Sequence, residues 1–267
     1  MTQLQLLDSS SDKGEGDMDE DLAGGVGPYA WMFDGATDMP PTFRPDPRVT
    51  GAYWIAHFGD AWLRRHARDQ RPSELLSGLA AAIGAELQAQ GMPSGGLPPA
   101  SSLAIVRAYG EQITAAVVGD VAVYNVAEDD LLLDPAFGVT ERAAVAQRVP
   151  CGTDDTTVAA IIARRRTYLS DESPQWILGD NPTVGKAAPI RHWRTEPGNE
   201  MLLATDGFTR AVTDYGLVAS WKDLADEVRA DGARSMIERI RRFEAGANRA
   251  RFFKRSDDAC AALWRCA

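Results

Sequence analysis

At 267 residues the chain is long enough for a sizeable hydrophobic core, and its 45% hydrophobic and 25% charged residues match an ordinary folded, soluble protein. A formal net charge of −10 excludes a nucleic-acid backbone as the main partner, because such binding rests on Lys and Arg displacing counterions; the acidic balance suits cation binding better. Three cysteines, Cys151, Cys260 and Cys266, lack metal-type spacing, and no apolar run has the length of a bilayer span or a signal-peptide core, so a reducing, cytoplasmic compartment is expected, without membrane.

In chain order, residues 1–14 read as a poorly ordered or edge segment of a single domain spanning 1–267. Asp8 to Asp21 is polar and acidic, which by charge alone means a solvated tail. Asp19, Glu20 and Asp21, however, run straight into residues 22–27, a Gly-containing tight turn, and then an apolar strand from Tyr29. A short connection places Glu20 and Asp21 a hairpin away from the end of that strand, Asp34-Gly35. Residues 39–48 form a Pro-rich loop that continues neither helix nor central strand. Thr50 or Gly51 opens a helix with Trp54, Phe58 and Trp62 on its buried face and Ile55 and Leu63 alongside. Ser73 caps a second helix, to about Gln90, with Leu75, Leu76, Leu79, Ile83 and Leu87 at helical spacing.

Three β-like runs follow, Ser101–Tyr109, Gln112–Val118 and Val121–Val126, and read as a meander; Asp120 follows Gly119 at a strand end. A capped helix is expected from Thr153 or Asp154 to about Tyr168, with Arg164, Arg165 and Arg166 solvated at its end. Ser170–Pro189 reads as an irregular surface segment that shapes access of a substrate. Ile190–Arg194 and Glu200–Thr205 read as a hairpin whose second arm ends at Asp206-Gly207. A short helix starts at Phe208 and further helical pattern runs from Trp221 to about Phe243. The last strand carries Ala259, Ala261 and Leu263 on one face and Cys260, Ala262 and Trp264 on the other, directly after Asp257 and Asp258. His57, His66 and His192 have no partner motif and read as structural or surface residues.

Asp-Gly is among the commonest turn dipeptides, so each pair taken alone reads as a turn. Collected, however, Glu20, Asp21, Asp34, Asp120, Asp206, Asp257 and Asp258 all adjoin predicted strands. Converging carboxylates repel one another unless cations neutralise them, and hard divalent ions prefer oxygen ligands. A pair of ions activating water and clamping a phosphoryl group is one use of such a set.

The order of these segments resembles the metal-dependent protein phosphatases of the protein phosphatase 2C type, the PPM superfamily, over nearly the whole chain. Asp19-Glu20-Asp21 is similar to the family's Glu-Asp element, Phe33-Asp34-Gly35 to its Asp-Gly motif, and Gly119-Asp120 to its Gly-Asp-Ser strand segment. Thr205-Asp206-Gly207 is similar to its Ser-Asp-Gly motif, and Asp257-Asp258-Ala259 to its C-terminal motif. The resemblance implies an α+β fold, a four-layer αββα sandwich of two antiparallel sheets with helices on the outer faces. It also implies two Mn²⁺ or Mg²⁺ ions bridged by Asp34. Glu20 and the Gly35 carbonyl lie on one side of it, Asp206 and Asp257 on the other, and Asp120 holds a weaker third ion with Asp206. The catalytic residues it implies are Asp34 and Asp206, and the reaction is hydrolysis of phosphoserine or phosphothreonine in a phosphorylated protein substrate by activated water. Lys13 stands where family members often carry a phosphate-gripping Arg, Ala36 where many have His, and Ser101-Ser102 where Gly-Thr-Thr is usual. Two other readings are a phosphatase-like binding module and a hydrolase of small phosphoesters.

Overall fold

The computed structural model describes residues 2–134, 137, 155–246 and 256–267. Cys151, the start of the helix expected from residue 153 or 154 and most of segment 131–147 lie outside them. Among the described residues, ten strands form two antiparallel five-stranded sheets. One sheet has the order β1 (Leu4–Asp12), β10 (Ala259–Cys266), β9 (Glu200–Ala204), β6 (Ala122–Asn125), β7 (Asp130–Leu132). The other has the order β2 (Leu22–Val26), β3 (Tyr29–Gly35), β4 (Ser101–Tyr109), β5 (Gln112–Val118), β8 (Ile190–Arg194). The helices among the described residues are α1 (Gly51–His66), α2 (Pro72–Ala89), α3 (Asp155–Tyr168), α4 (Val184–Ala187), α5 (Asp206–Thr213), α6 (Trp221–Asp231) and α7 (Ala233–Gly246).

Side chains along a strand alternate between its faces, and here both faces are covered, so β3 is one unbroken apolar run. Tyr29, Trp31 and Phe33 join the buried cluster under α1 and α2, whereas Ala30 and Met32 join the cluster between the two sheets. β10 divides in the same way: Cys260, Ala262 and Trp264 face the other sheet, and Ala259, Ala261 and Leu263 pack under α5, α6 and α7. The result is the expected αββα sandwich. Residues 4–12 of the segment expected to be disordered or at an edge form β1, an edge strand paired with β10.

Several expectations about local structure are corrected. Leu22–Val26 is a strand paired with β3, and the turn is at Gly27-Pro28. The buried residues of α1 are Gly51, Ala52, Ile55, Ala56, Gly59 and Leu63; Trp54, Phe58 and Trp62 flank the cluster and are only partly buried, because rings that large do not fit where α1 approaches β3 closely. A Cβ on Gly59 would stand 2.4 Å from the Phe33 ring. α2 begins at Pro72, with Arg71 as its cap and the Glu74 carboxylate accepting from the Arg71 N–H at 2.8 Å. Helix α6 ends at Gly232, whose φ of 83° no helix can include, so the helical run from Trp221 is two helices.

The larger corrections concern strand order. β8 pairs with β5 in one sheet and β9 with β10 and β6 in the other, so residues 195–199 cross between sheets rather than turn a hairpin. The meander likewise stops after β5; Gly119, at φ 81°, turns the chain across so that β6 joins β9. Each crossing carries a residue from the second sheet to the first, and one of them is made at the end of the sandwich where the acids gather. Trp176, Ile177 and Leu178 are buried, and Leu178 bridges to Ser101, so this part of the 170–189 segment is core rather than surface.

Candidate metal centre

The acids reach one place because antiparallel strands end together. Asp34 and Gly35 close β3, opposite Ser102 and Ser101 at the start of β4. Glu20 and Asp21 directly precede β2, whose Leu22 pairs with Phe33. Asp120 precedes β6, and Ala122, Ala204 and Ala261 lie side by side at the matching ends of β6, β9 and β10, so Asp206 and Asp257 flank the same edge. Five separate segments therefore deliver carboxylates to one end of the sandwich.

Asp34 is the centre of the set. Burial, and then the charges of Asp21, Asp206, Asp120 and Asp257, push its carboxyl well above the usual carboxylate range. Its Oδ2 accepts from the Asp206 N–H at 3.2 Å, and Asp206 is the first residue of α5, where a helix leaves its N–H groups without intrahelical partners. The Ser101 hydroxyl donates to the Asp34 carbonyl at 2.8 Å. Asp120 is raised by burial, against which the Ser102 hydroxyl donates to its Oδ1 at 2.5 Å. Asp21 is 6% exposed, and one carboxylate oxygen, Oδ2, is buried without a hydrogen-bond partner. Its carboxyl is raised by burial and by Asp258, Asp19 and Asp206, with the Thr205 hydroxyl working the other way.

Two neighbours fix Glu20. Asp258 accepts from the Glu20 N–H at 2.6 Å and from the Gly14 N–H at 2.9 Å, tying the segment before β2 to the start of β10. A Cβ on Gly35 would stand 2.6 Å from both the Glu20 Cβ and the Glu20 carbonyl oxygen, so only glycine lets Glu20 lie against the end of β3. Lys13, expected near a substrate phosphate, turns its ammonium back to the Asp17 carbonyl at 3.0 Å.

Two arginines that sequence reasoning passed over adjoin the set. Arg165, read as part of a solvated run, is 9% exposed; its Nη2 donates to the Thr37 carbonyl at 2.7 Å, and burial presses its guanidinium below the ordinary range, against which the charges of Asp38 and Glu20 act. No single-residue signal separates it from Arg164 and Arg166. Arg210 was legible in principle: it lies four residues after Asp206 in a short helix, the spacing that brings side chains together. Its Nη2 pairs with Asp206 Oδ2 at 3.2 Å and Asp257 Oδ2 at 3.0 Å.

Among the described residues, no three carboxylate, imidazole or thiol side chains stand as a group that could hold a metal ion. The donor chemistry still fits a hard cation on the Asp34 side, where the ligand candidates are oxygens, one buried carboxylate oxygen lacks a partner, and the charges pressing on Asp34 are negative. On the Asp206–Asp257 side a guanidinium already stands between the two carboxylates.

No family model matches this chain, and no curated protein matches it. Solved structures do match over its full length. The catalytic domain of the serine threonine protein phosphatase PstP, solved in complex with two manganese ions, is 14% identical with a TM-score of 0.57, and all of both chains are covered. PppA of Pseudomonas aeruginosa, described as a regulatory component of T6SS, gives the same identity, score and coverage. The PPM Ser-Thr phosphatase MsPP from Mycobacterium smegmatis, in complex with cacodylate, is 14% identical with a TM-score of 0.55 over 98% of this chain and 99% of that one. The chain thus has the fold of the PPM phosphatase catalytic domains. No helix among the described residues is long and apolar enough to cross a membrane.

Proposed function

We propose that this protein is a divalent-cation-dependent phosphatase that hydrolyses phosphoserine and phosphothreonine in a phosphorylated protein substrate, and that it acts in the cytoplasm. The observation that carries this reading is the convergence of Glu20, Asp34, Asp120, Asp206 and Asp257 from separate segments on one end of a fold shared with Ser/Thr phosphatases. Asp34, Glu20 and the Gly35 carbonyl would hold Mn²⁺ or Mg²⁺, with Asp206, Asp257 and Asp120 completing the acid set. Bound there, such an ion supplies a Lewis acid for phosphoryl oxygens and makes water acidic enough to attack phosphorus near neutral pH.

The chain's own residues do the positioning. Asp258 holds the Glu20 backbone, Ser101 holds the Asp34 backbone, Ser102 holds the Asp120 carboxylate, and the first turn of α5 donates to Asp34. Acids alone repel a phosphate dianion, so turnover requires the cation. Phosphate release from phosphoserine and phosphothreonine peptides, with Mn²⁺ and with chelator, tests the reading; activity that survives chelation rejects it. A free small phosphoester hydrolysed in preference to every phosphopeptide would move the assignment to small-molecule substrates. Arg210 favours a second reading, a phosphatase-like binding module, because it already neutralises two of the acids; cation binding without any hydrolysis supports that module.

A further inference from the structure

Arg210 occupies an unusual place for a charged side chain on a short helix. It points along α5 back to Asp206 and across to Asp257, with side-chain exposures of 14%, 19% and 19% for the three residues. A single nitrogen, Nη2, serves both carboxylates, one from α5 and one from the segment before β10. A positive charge shared by two carboxylates from different elements is the arrangement a bridging cation otherwise provides.

The surroundings are built to keep it there. Tyr215 lies beside Arg210 and donates its hydroxyl to buried Glu244 at 2.9 Å. Arg241, paired with Glu244 Oε2 at 2.9 Å, donates to the Asp257 carbonyl at 2.8 Å and to the Asp12 carbonyl at 2.9 Å. Asp257 is therefore clamped from its backbone by one arginine while its side chain is paired with another. A guanidinium cannot be deprotonated at any working pH and, unlike a metal ion, offers no open coordination position.

We infer that Arg210 takes the place of one of two divalent ions, serving as the fixed counter-ion of Asp206 and Asp257, so that the centre binds a single cation at Asp34, Glu20 and Gly35. This rests on reading the acids as a cation centre, as proposed above. PstP, with the same fold, is described with two manganese ions; the difference assigned here is a property of this chain's Arg210.

The test is a count. The full chain is dialysed to equilibrium against MnCl₂ and bound manganese is measured by atomic emission, with folding followed by circular dichroism. The expected result is one ion for the wild type, one for Arg210→Lys and two for Arg210→Gln. Asp257→Asn keeps its single ion, whereas Asp34→Asn loses it, which keeps the test open if Arg210→Gln fails to fold. A wild type that binds two ions or none, a folded Arg210→Gln that still binds one, or loss of the ion in Asp257→Asn overturns the inference. Phosphopeptide hydrolysis is read separately on the same samples. Counts as expected without turnover reject the phosphatase reading and leave the role of Arg210 standing; turnover by a wild type holding two ions overturns the role of Arg210 alone.

Discussion

Asp34-Gly35 and Asp206-Gly207 are the same dipeptide at the end of the same kind of apolar strand, yet their surroundings differ. Asp34 still lies in β3, paired opposite Ser102, and the charges that press on it are acids. Asp206 lies two residues past β9 and opens α5, which puts Arg210 one helical turn away and in contact. A strand rises about 3.3 Å per residue, so a residue four positions on stands about 13 Å away and cannot reach back to the same carboxylate as it does one turn along a helix. The continuation of the chain, and not the dipeptide, decides whether the carboxylate acquires a cation from its own helix.

The sharpest way to break this comparison is to neutralise each corner. Asp34→Asn is expected to lower Mn²⁺-dependent phosphopeptide hydrolysis by more than about 100-fold, beyond the 10–100-fold that groups supporting a metal ligand typically cost. Steady-state kinetics at saturating Mn²⁺ would read it, and a loss of less than 10-fold would remove Asp34 from the centre of the site.

Next comes the packing of the core beneath the Asp34 corner. Phe33, on β3, is fully buried against α1, in contact distance of Gly59, so Phe33→Ala is expected to cost about 3–5 kcal/mol in urea unfolding. The two glycines then separate the corners. A Cβ on Gly207 would lie 2.0 Å from the Asp258 carbonyl oxygen, and one on Gly35 2.6 Å from the Glu20 carbonyl oxygen; both obstacles are backbone. Each alanine substitution is expected to cost about 1–3 kcal/mol, with Gly207→Ala the more damaging. Equal midpoints for the two variants and the wild type would show that both corners relax freely.

The smallest effect lies away from the site, where an acid has its cations in full. Glu200 is buried and paired with Arg229 at 2.6 Å and Arg265 at 2.7 Å. Burial alone would raise its carboxyl, but the two arginines outweigh this and hold it below the usual range. Its folded pKa is thus depressed, so its contribution is present above the unfolded value near 4.5 and lost as pH falls through the folded one. Both arginines are more than a third exposed, so the pairing contributes about 1 kcal/mol or less. Urea midpoints measured from pH 6 down to about pH 3 should fall less steeply for Glu200→Gln than for the wild type, over the carboxylate range.

What the residues alone made legible follows from local physics. The apolar runs of β3, β9 and β10, the cap at Thr50, where the hydroxyl accepts from the Tyr53 N–H at 3.1 Å, and the leucine spacing of α2 depend on neighbours within a few positions, and the structure has them where they were read. The acids were legible as a set because each sits at a strand end, and strand ends meet wherever strands are antiparallel. Tertiary structure alone decided which sheet each strand joins: β8 and β9 have sequences compatible with a hairpin, but β8, exposed apart from Trp193, edges one sheet while β9, buried throughout, lies inside the other. It also decided the charge balance of the centre, since burial of Arg165 and the bridging position of Arg210 depend on distances between segments far apart in the chain. Pattern reports what a residue prefers; only packing fixes which opposite charge lies within reach, and in a low-dielectric interior that neighbour governs the chemistry.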